Sequence, residues 1–125
     1  MFTEEDVIYS YSRRQAIEDG VLVDASELAR EAGFRFPVAL THSVWCECVK
    51  VPEGVAGQDE TGRLWDILQM LRWAIKKSPG GECELFFELL VRNDDRKART
   101  VRLKSLCGPG DDGEPVITIM QPDED

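Results

Sequence analysis

The sequence predicts an α+β fold, because the spacing of its apolar residues changes part-way along the chain. Up to residue 77 they recur about every 3.6 positions, as on helices, and from residue 84 they alternate, as on strands. The breaker Ser78-Pro79-Gly80-Gly81 separates the two patterns. We therefore expect a helical N-terminal half, with about four helices and one short strand, packed on a C-terminal three-stranded antiparallel meander.

The chain length favours a single domain over residues 1–125. A chain of 125 residues can bury one core and is short for two. We expect residues 1–8 and 121–125, where acidic residues concentrate, to be frayed. No stretch reaches the roughly 18 apolar residues of a membrane span, and the acidic start is unlike a secretory signal. We expect a cytoplasmic protein with no membrane partner.

The opening segment contains a helix with signals at both of its ends. Ser12 and Gln15 form a capping box, in which the Ser12 side chain accepts a hydrogen bond from the backbone N–H of Gln15. A helix over about 13–19 follows, and Gly20 suits the left-handed residue after its end. Residues 21–23, Val-Leu-Val, are typical of a short buried strand.

Two further helices are predicted before residue 52. Asp24 should cap the first of them, and Gly33 should end it. Pro37 suits the first turn of the next helix. That helix would carry one continuous stripe of residues at offsets of 4, 7, 8 and 11, namely Val38, His42, Trp45, Cys46 and Val49.

A long fourth helix and three strands complete the prediction. The helix spans about 62–77, and its apolar stripe should pack across the meander. The strands are 84–92, 99–107 and 116–120, with polar residues on the solvated face. Those polar residues include the opposed charges Glu84, Glu88, Arg102 and Lys104. In the first strand the core-facing residues Leu85, Phe87, Leu89 and Val91 alternate with Glu84, Phe86, Glu88 and Leu90 on the solvated face. We expect the tryptophans in the core or at its edge, namely Trp45, Trp65 and Trp73.

Charge is unevenly distributed along the chain. The net charge is −9. Residues 1–60 hold 5 basic and 12 acidic side chains, residues 61–110 hold 10 and 6, and residues 111–125 hold 0 and 6. The three segments thus carry −7, +4 and −6. Overall acidity argues against non-specific nucleic-acid binding, which relies on Lys and Arg to neutralise phosphates.

No residue pattern points to a reaction, a metal or a cofactor. His42 and Cys46, four apart, share a helix face, and with Cys83 and Cys107 they could form a zinc site. The local CxxC or HxxxH pairs of such sites are missing, however, and nothing orients a nucleophilic Cys–His pair. We therefore expect structural thiols, no cofactor and no enzymatic activity.

Two groups of residues are candidates for a binding surface. Capping accounts for the small polar residues of the opening segment but not for its aromatic and basic ones. We expect a partner protein to contact Tyr9, Tyr11, Arg13, Arg14, Glu18 and Asp19. The alternative is a nucleic-acid surface on the basic strand and its turn, formed by Arg96, Lys97, Arg99, Arg102 and Lys104. That strand lacks the interleaved aromatics on which bases stack, so direct nucleic-acid contact is the less favoured reading.

The opening segment also resembles a family of small uncharacterised proteins of conjugative plasmids, integrative elements and phages. The resemblance lies in YSRRQAIEDGVLVD and in AREAGFRFPVALTHSVW, and it covers most of residues 9–77. The matching positions are Tyr11, Ser12, Arg13, the run 15–20, Val23, Asp24, the run 36–38 and Trp45. The segment Trp45-Cys46-Glu47-Cys48 departs from the family pattern.

This resemblance implies a non-enzymatic accessory protein of a mobile element. Small acidic proteins of such elements often block host defence by occupying the nucleic-acid-binding surface of restriction or CRISPR components. We therefore expect an anti-defence protein, of anti-restriction or anti-CRISPR type, whose acidic half binds a basic host protein. The alternative is a nucleic-acid-associated factor of plasmid maintenance or transfer.

Overall fold

The computed structural model describes residues 12–53, 59–78, 80, 83–92 and 98–124. Its helices are α1 (Arg13–Glu18), α2 (Ser26–Glu31), α3 (His42–Val44) and α4 (Glu60–Lys77), and a π-helical turn, Trp45–Val49, continues α3. Its strands are β1 (Leu22–Asp24), β2 (Val38–Thr41), β3 (Glu84–Val91), β4 (Arg99–Pro109) and β5 (Pro115–Met120).

The strands form one five-stranded mixed sheet in the order β1-β2-β5-β4-β3. The expected sheet, a three-stranded antiparallel meander, is wrong. β5 pairs in parallel with β2, with Val38 opposite Ile117, and β2 pairs antiparallel with β1, with Leu22 opposite Thr41. Two strands from the first half of the chain therefore extend the sheet beyond β5 and share its core.

The third predicted helix is wrong over its first turn. Val38 to Thr41 form β2, and the helix begins only at His42, capped by the Thr41 side chain. Val38, Ala39 and Leu40 are all fully buried, because β2 lies between two other strands with both faces covered. A short, continuously apolar run fits a central strand as well as a helix, and only pairing with β1 and β5 decides between them.

Local signals around the first two helices are largely confirmed. The Ser12 hydroxyl accepts a hydrogen bond from the backbone N–H of Gln15 at 3.0 Å. Gly20 and Gly33 have φ of 79° and 101°, the left-handed conformation that glycine adopts without strain. The cap of α2 differs by one residue, because Ala25 occupies the cap position and Asp24 instead accepts the N–H of Ser26 at 3.0 Å.

The two faces of the sheet are covered by different segments. On one face, α4 packs Ile67, Leu68 and Leu71 against the sheet, and these side chains are fully buried. Thr118 lies between two core residues of β5, so it points to the opposite face, which we call the outer face. There Arg13 of α1 contacts Thr118, so α1 lies over this part of the outer face.

Candidate partner-binding site

Arg13, one of the predicted partner-binding residues, holds α1 onto the sheet. Its guanidinium donates to the Thr118 hydroxyl and to the Ile117 carbonyl, each at 2.7 Å. The side chain is half-buried, and burial lowers the pKa of Arg13, while Asp24, Asp111 and Glu114 partly offset that effect. Arg13 therefore contributes to the fold, and its guanidinium is already engaged within the chain.

Asp111, in the β4–β5 turn, binds the first turn of the same helix. Its two carboxylate oxygens accept the backbone N–H groups of Arg13 at 2.7 Å and of Arg14 at 3.0 Å. These hydrogen bonds, that of Arg14 first, hold the pKa of the exposed Asp111 carboxyl below its ordinary value. The chain thus supplies its own anion to the free N–H groups at the start of α1.

The other predicted partner-binding residues are placed as follows. Tyr9 and Tyr11 lie outside the described residues. Arg14, Glu18 and Asp19 are exposed on α1 and just after it. Arg14 and Glu18 line a shallow groove with Asp24, Asp111 and Glu114, so the surface beside Arg14 is acidic.

Among the described residues of the nucleic-acid alternative, namely Arg99, Arg102 and Lys104, the three side chains do not form one free patch. Lys104 is only 7% exposed, and its ammonium donates to the Glu124 carbonyl, so the expectation that it is solvated is wrong. Arg102 lies 4.3 Å from the centroid of the Phe86 ring and opposite Glu88. Arg99 is exposed but three positions from Arg102, so the two point to opposite faces of β4. Arg96 and Lys97 lie outside the described residues.

The longest open edge of the described sheet belongs to β3. This strand spans eight residues and is last in the order of strands, so only β4 pairs with it among the described residues. Phe87, Leu89 and Val91 are buried against the core, whereas Phe86 and Leu90 point to the outer face. Leu90 is 69% exposed, more than any other large apolar side chain described.

Helix α4 brings further apolar side chains to the same edge. Met70 is 39% exposed and Trp73 58% exposed, and with Asp66 they recur along one side of the helix. A groove of about 470 Å³ lies between α4 and the end of β3, lined by Asp66, Met70, Glu88 and Leu90 among others. We call the surface formed by Asp66, Met70, Trp73, Phe86, Glu88 and Leu90 the β3 edge surface.

Apolar contact area and negative charge meet in the groove of the β3 edge surface, whereas cations lie over its two aromatic rings, Lys77 over Trp73 and Arg102 over Phe86. Both ionisable groups that line its groove, Asp66 and Glu88, are carboxylates. Glu88 faces Arg102 on β4, so part of its charge is balanced within the chain. The arrangement suits an extended, apolar segment that carries a positive charge.

Sequence reasoning missed this surface, although one of its signals was available. Trp73 was expected in the core or at its edge, and its 58% exposure contradicts that. Leu90 was placed on the solvated face of its strand, where a leucine is unusual. The expected meander already places strand 84–92 at an edge. What could not be inferred was that β2 and β1 cover the other side of the sheet, beyond β5, because the parallel pairing of β2 with β5 was not predicted.

The described residues contain neither a metal-binding cluster nor a membrane-spanning helix. In that part of the chain, no group of three or more His, Cys, Asp or Glu side chains is arranged to hold a metal ion. No helix found there has both the length and the apolar character needed to cross a bilayer.

Comparison with known proteins places the chain in a family. A family model, described as a family of unknown function (DUF6573), matches residues 1–125. The chain belongs to this family. The expected membership of an uncharacterised family is therefore confirmed, whereas the link to mobile elements stays a prediction. No curated protein and no solved structure matches the chain significantly.

Proposed function

We propose that this chain is a non-enzymatic binding protein that receives an extended segment of a partner protein along the free edge of β3. The observation that carries the proposal is the exposed apolar edge itself. Long, apolar edge strands pair readily with other chains, so proteins normally shorten, charge or cover them. In the described residues, β3 is eight residues long and carries the exposed Leu90, and the exposed Met70 of α4 lines the groove beside it.

Pairing with β3 would use both the backbone and the side chains of the edge. The backbone of an added strand supplies hydrogen bonds that do not depend on sequence, and alternate side chains supply specificity. One set of the partner's side chains would meet Met70 and Trp73 of α4. The other set would meet Phe86 and Leu90 on the outer face.

Charge selects among possible partner segments. Asp66 and Glu88 would attract lysine or arginine in the partner and repel acidic segments. The net charge of −9 acts in the same direction, because it favours encounter with a basic protein and opposes pairing of β3 with a second copy. We infer a partner segment that alternates apolar and basic residues.

The resemblance to proteins of plasmids, integrative elements and phages narrows the proposal to a host protein. A nucleic-acid-binding component of a defence system carries basic surface segments of the kind that this edge suits. On this proposal the chain is an accessory protein of a mobile element with an anti-restriction or anti-CRISPR role. Plasmid maintenance or transfer through direct nucleic-acid contact is less well supported, since Lys104 is buried and Arg102 packs on Phe86.

The proposal is tested by selecting displayed random peptides on the wild-type chain and measuring their binding to two variants. Leu90→Lys places a positive charge in the groove, and Val21→Lys makes the same change at another exposed apolar residue, near β1. We expect selected peptides to alternate apolar and basic residues. Leu90→Lys should weaken the binding of these peptides by roughly 1–2 kcal/mol, about five- to thirtyfold in Kd. Val21→Lys should leave their Kd unchanged.

Two outcomes contradict the proposed function. One is the selection of peptides that bind Leu90→Lys as tightly as the wild type. The other is the enrichment of acidic peptides, which would place the recognition surface among the basic residues of the chain.

A further inference from the structure

A second site lies on α3 and the π-helical turn, away from the β3 edge surface. Four positions separate His42 from Cys46, and the His42 Nε2 lies 3.3 Å from the Cys46 Sγ. The Lys50 N–H bonds the Trp45 carbonyl at 2.8 Å, which closes the wide turn that carries the thiol. Both His42 and Cys46 are exposed, and they line a groove of about 390 Å³ with Trp45 and Lys50.

The four cysteines of the chain differ in access and in their neighbours. Cys48 is buried, and burial raises the pKa of its thiol to about 11, with the charge of Glu47 adding to the effect. Cys107 is partly buried, and only Cys46 and Cys83 are exposed. Since His42 is the single histidine of the sequence, Cys46 is the one thiol that a histidine contacts.

We propose that Cys46 is a covalent modification site that undergoes thiol–disulfide exchange with low-molecular-weight disulfides, with His42 as its proton acceptor. The neutral His42 Nε2 takes the Sγ proton, and the thiolate attacks one sulfur of the disulfide. The S–S bond of that disulfide breaks, and a mixed disulfide forms on Cys46. The second half leaves as a thiolate and takes the proton from His42, so the disulfide is the oxidant and no other reactant is consumed.

The charged groups around the thiol suit a small polar reactant. Lys50 and Glu60 line the groove. Lys50 can pair with a carboxylate of the incoming molecule, and Glu60 can pair with an ammonium. Glu47, the next residue along the chain, accepts a hydrogen bond from the Gln121 amide at 2.8 Å, which directs its carboxylate toward β5. Cys46 itself lines the groove beside His42.

The test exposes the fully reduced chain to oxidised glutathione and follows each cysteine by peptide mass spectrometry. We expect Cys46 to form the mixed disulfide about tenfold or more faster than the exposed Cys83, because general acid–base assistance raises rates by at least that factor. His42→Gln keeps a polar side chain but removes the proton acceptor. This variant should slow mixed-disulfide formation at Cys46 by a similar factor and leave the rate at Cys83 unchanged.

The other cysteines make the experiment self-checking. Cys48 should stay unmodified while the chain is folded, so its labelling would reveal a variant that has lost its structure. In that case the ratio of the modification rates of Cys46 and Cys83 in the wild type still tests the proposal. Equal rates at Cys46 and Cys83 in the wild type would overturn the proposal. So would an unchanged Cys46 rate in folded His42→Gln.

Discussion

The two edges of the sheet show opposite solutions to the same structural problem. β1 ends one side with three residues, and the Asp24 carboxylate at its end bonds Ser26 of the following helix. β3 ends the other side with eight residues and exposed apolar side chains. Short strands and charged ends are common ways to prevent edge pairing. Strand β3 also carries charge, at Glu84 and Glu88, but it is not short, and Leu90 on the same face is 69% exposed. Among the described residues, the edge of β3 therefore points to a function rather than to a general property of the fold.

The largest expected difference between the two sides concerns stability. Leu40 in β2 is fully buried, whereas Leu90 in β3 is 69% exposed. Leu40→Ala should lower the free energy of unfolding by roughly 2–5 kcal/mol, since it leaves a cavity in the core. The same truncation at Leu90 should change it by less than about 0.5 kcal/mol. Urea denaturation of the two variants measures both values, and similar losses would show that Leu90 supports the fold.

A smaller effect is expected where α1 is held beside β1. Arg13→Ala removes the donors to the Thr118 hydroxyl and the Ile117 carbonyl, so it should lower the free energy of unfolding by about 1–3 kcal/mol. Arg14→Ala is the matched control, because Arg14 is exposed and donates to Asp111 through its backbone N–H, which alanine keeps. Thermal or urea unfolding measures the stability loss of each variant. Equal effects would mean that the Arg13 side chain does not hold α1.

The smallest expected effect is the pH dependence of the contact between Asp111 and α1. The pKa of Asp111 is lower in the folded chain than its ordinary value, so its stabilising effect is present above the ordinary pKa and is lost as the pH falls through the folded one. The stability gap between wild type and Asp111→Ala should narrow over that acidic range. The stability gap between wild type and Asp112→Ala should not narrow over this range. If it narrows by the same amount, the pH dependence reflects the negative charge of the turn as a whole and not the contact of Asp111 with α1.

Local features of the fold were accessible from the sequence. The Ser12 cap, the left-handed Gly20 and helix α4 depend on interactions between residues a few positions apart. The spacing of residue types along the sequence indicates such interactions directly. The alternation of β3 was also predicted correctly, with Phe87, Leu89 and Val91 inward. These predictions need no knowledge of which strands pair.

The sheet order and the binding surface could not be predicted in the same way. Val38 to Thr41 became a strand because β5, more than 70 residues later, pairs with it. That pairing covers the outer side of β5, so the two edge strands of the described sheet are β1 and β3. Arg13 shows the same limit, since nothing near it in sequence indicates that its guanidinium bonds Thr118 and Ile117.

Residue-resolved amide hydrogen exchange tests the central claim most directly. The wild-type chain is measured alone and with a peptide selected on it. We expect the bound peptide to slow exchange at alternate amides of Glu84–Val91, those that point to the open edge, while β1 amides keep their rates. Protection confined to α1 and the β4–β5 turn, with β3 unchanged, would contradict the account and move the partner-binding site to the acidic surface beside Arg14.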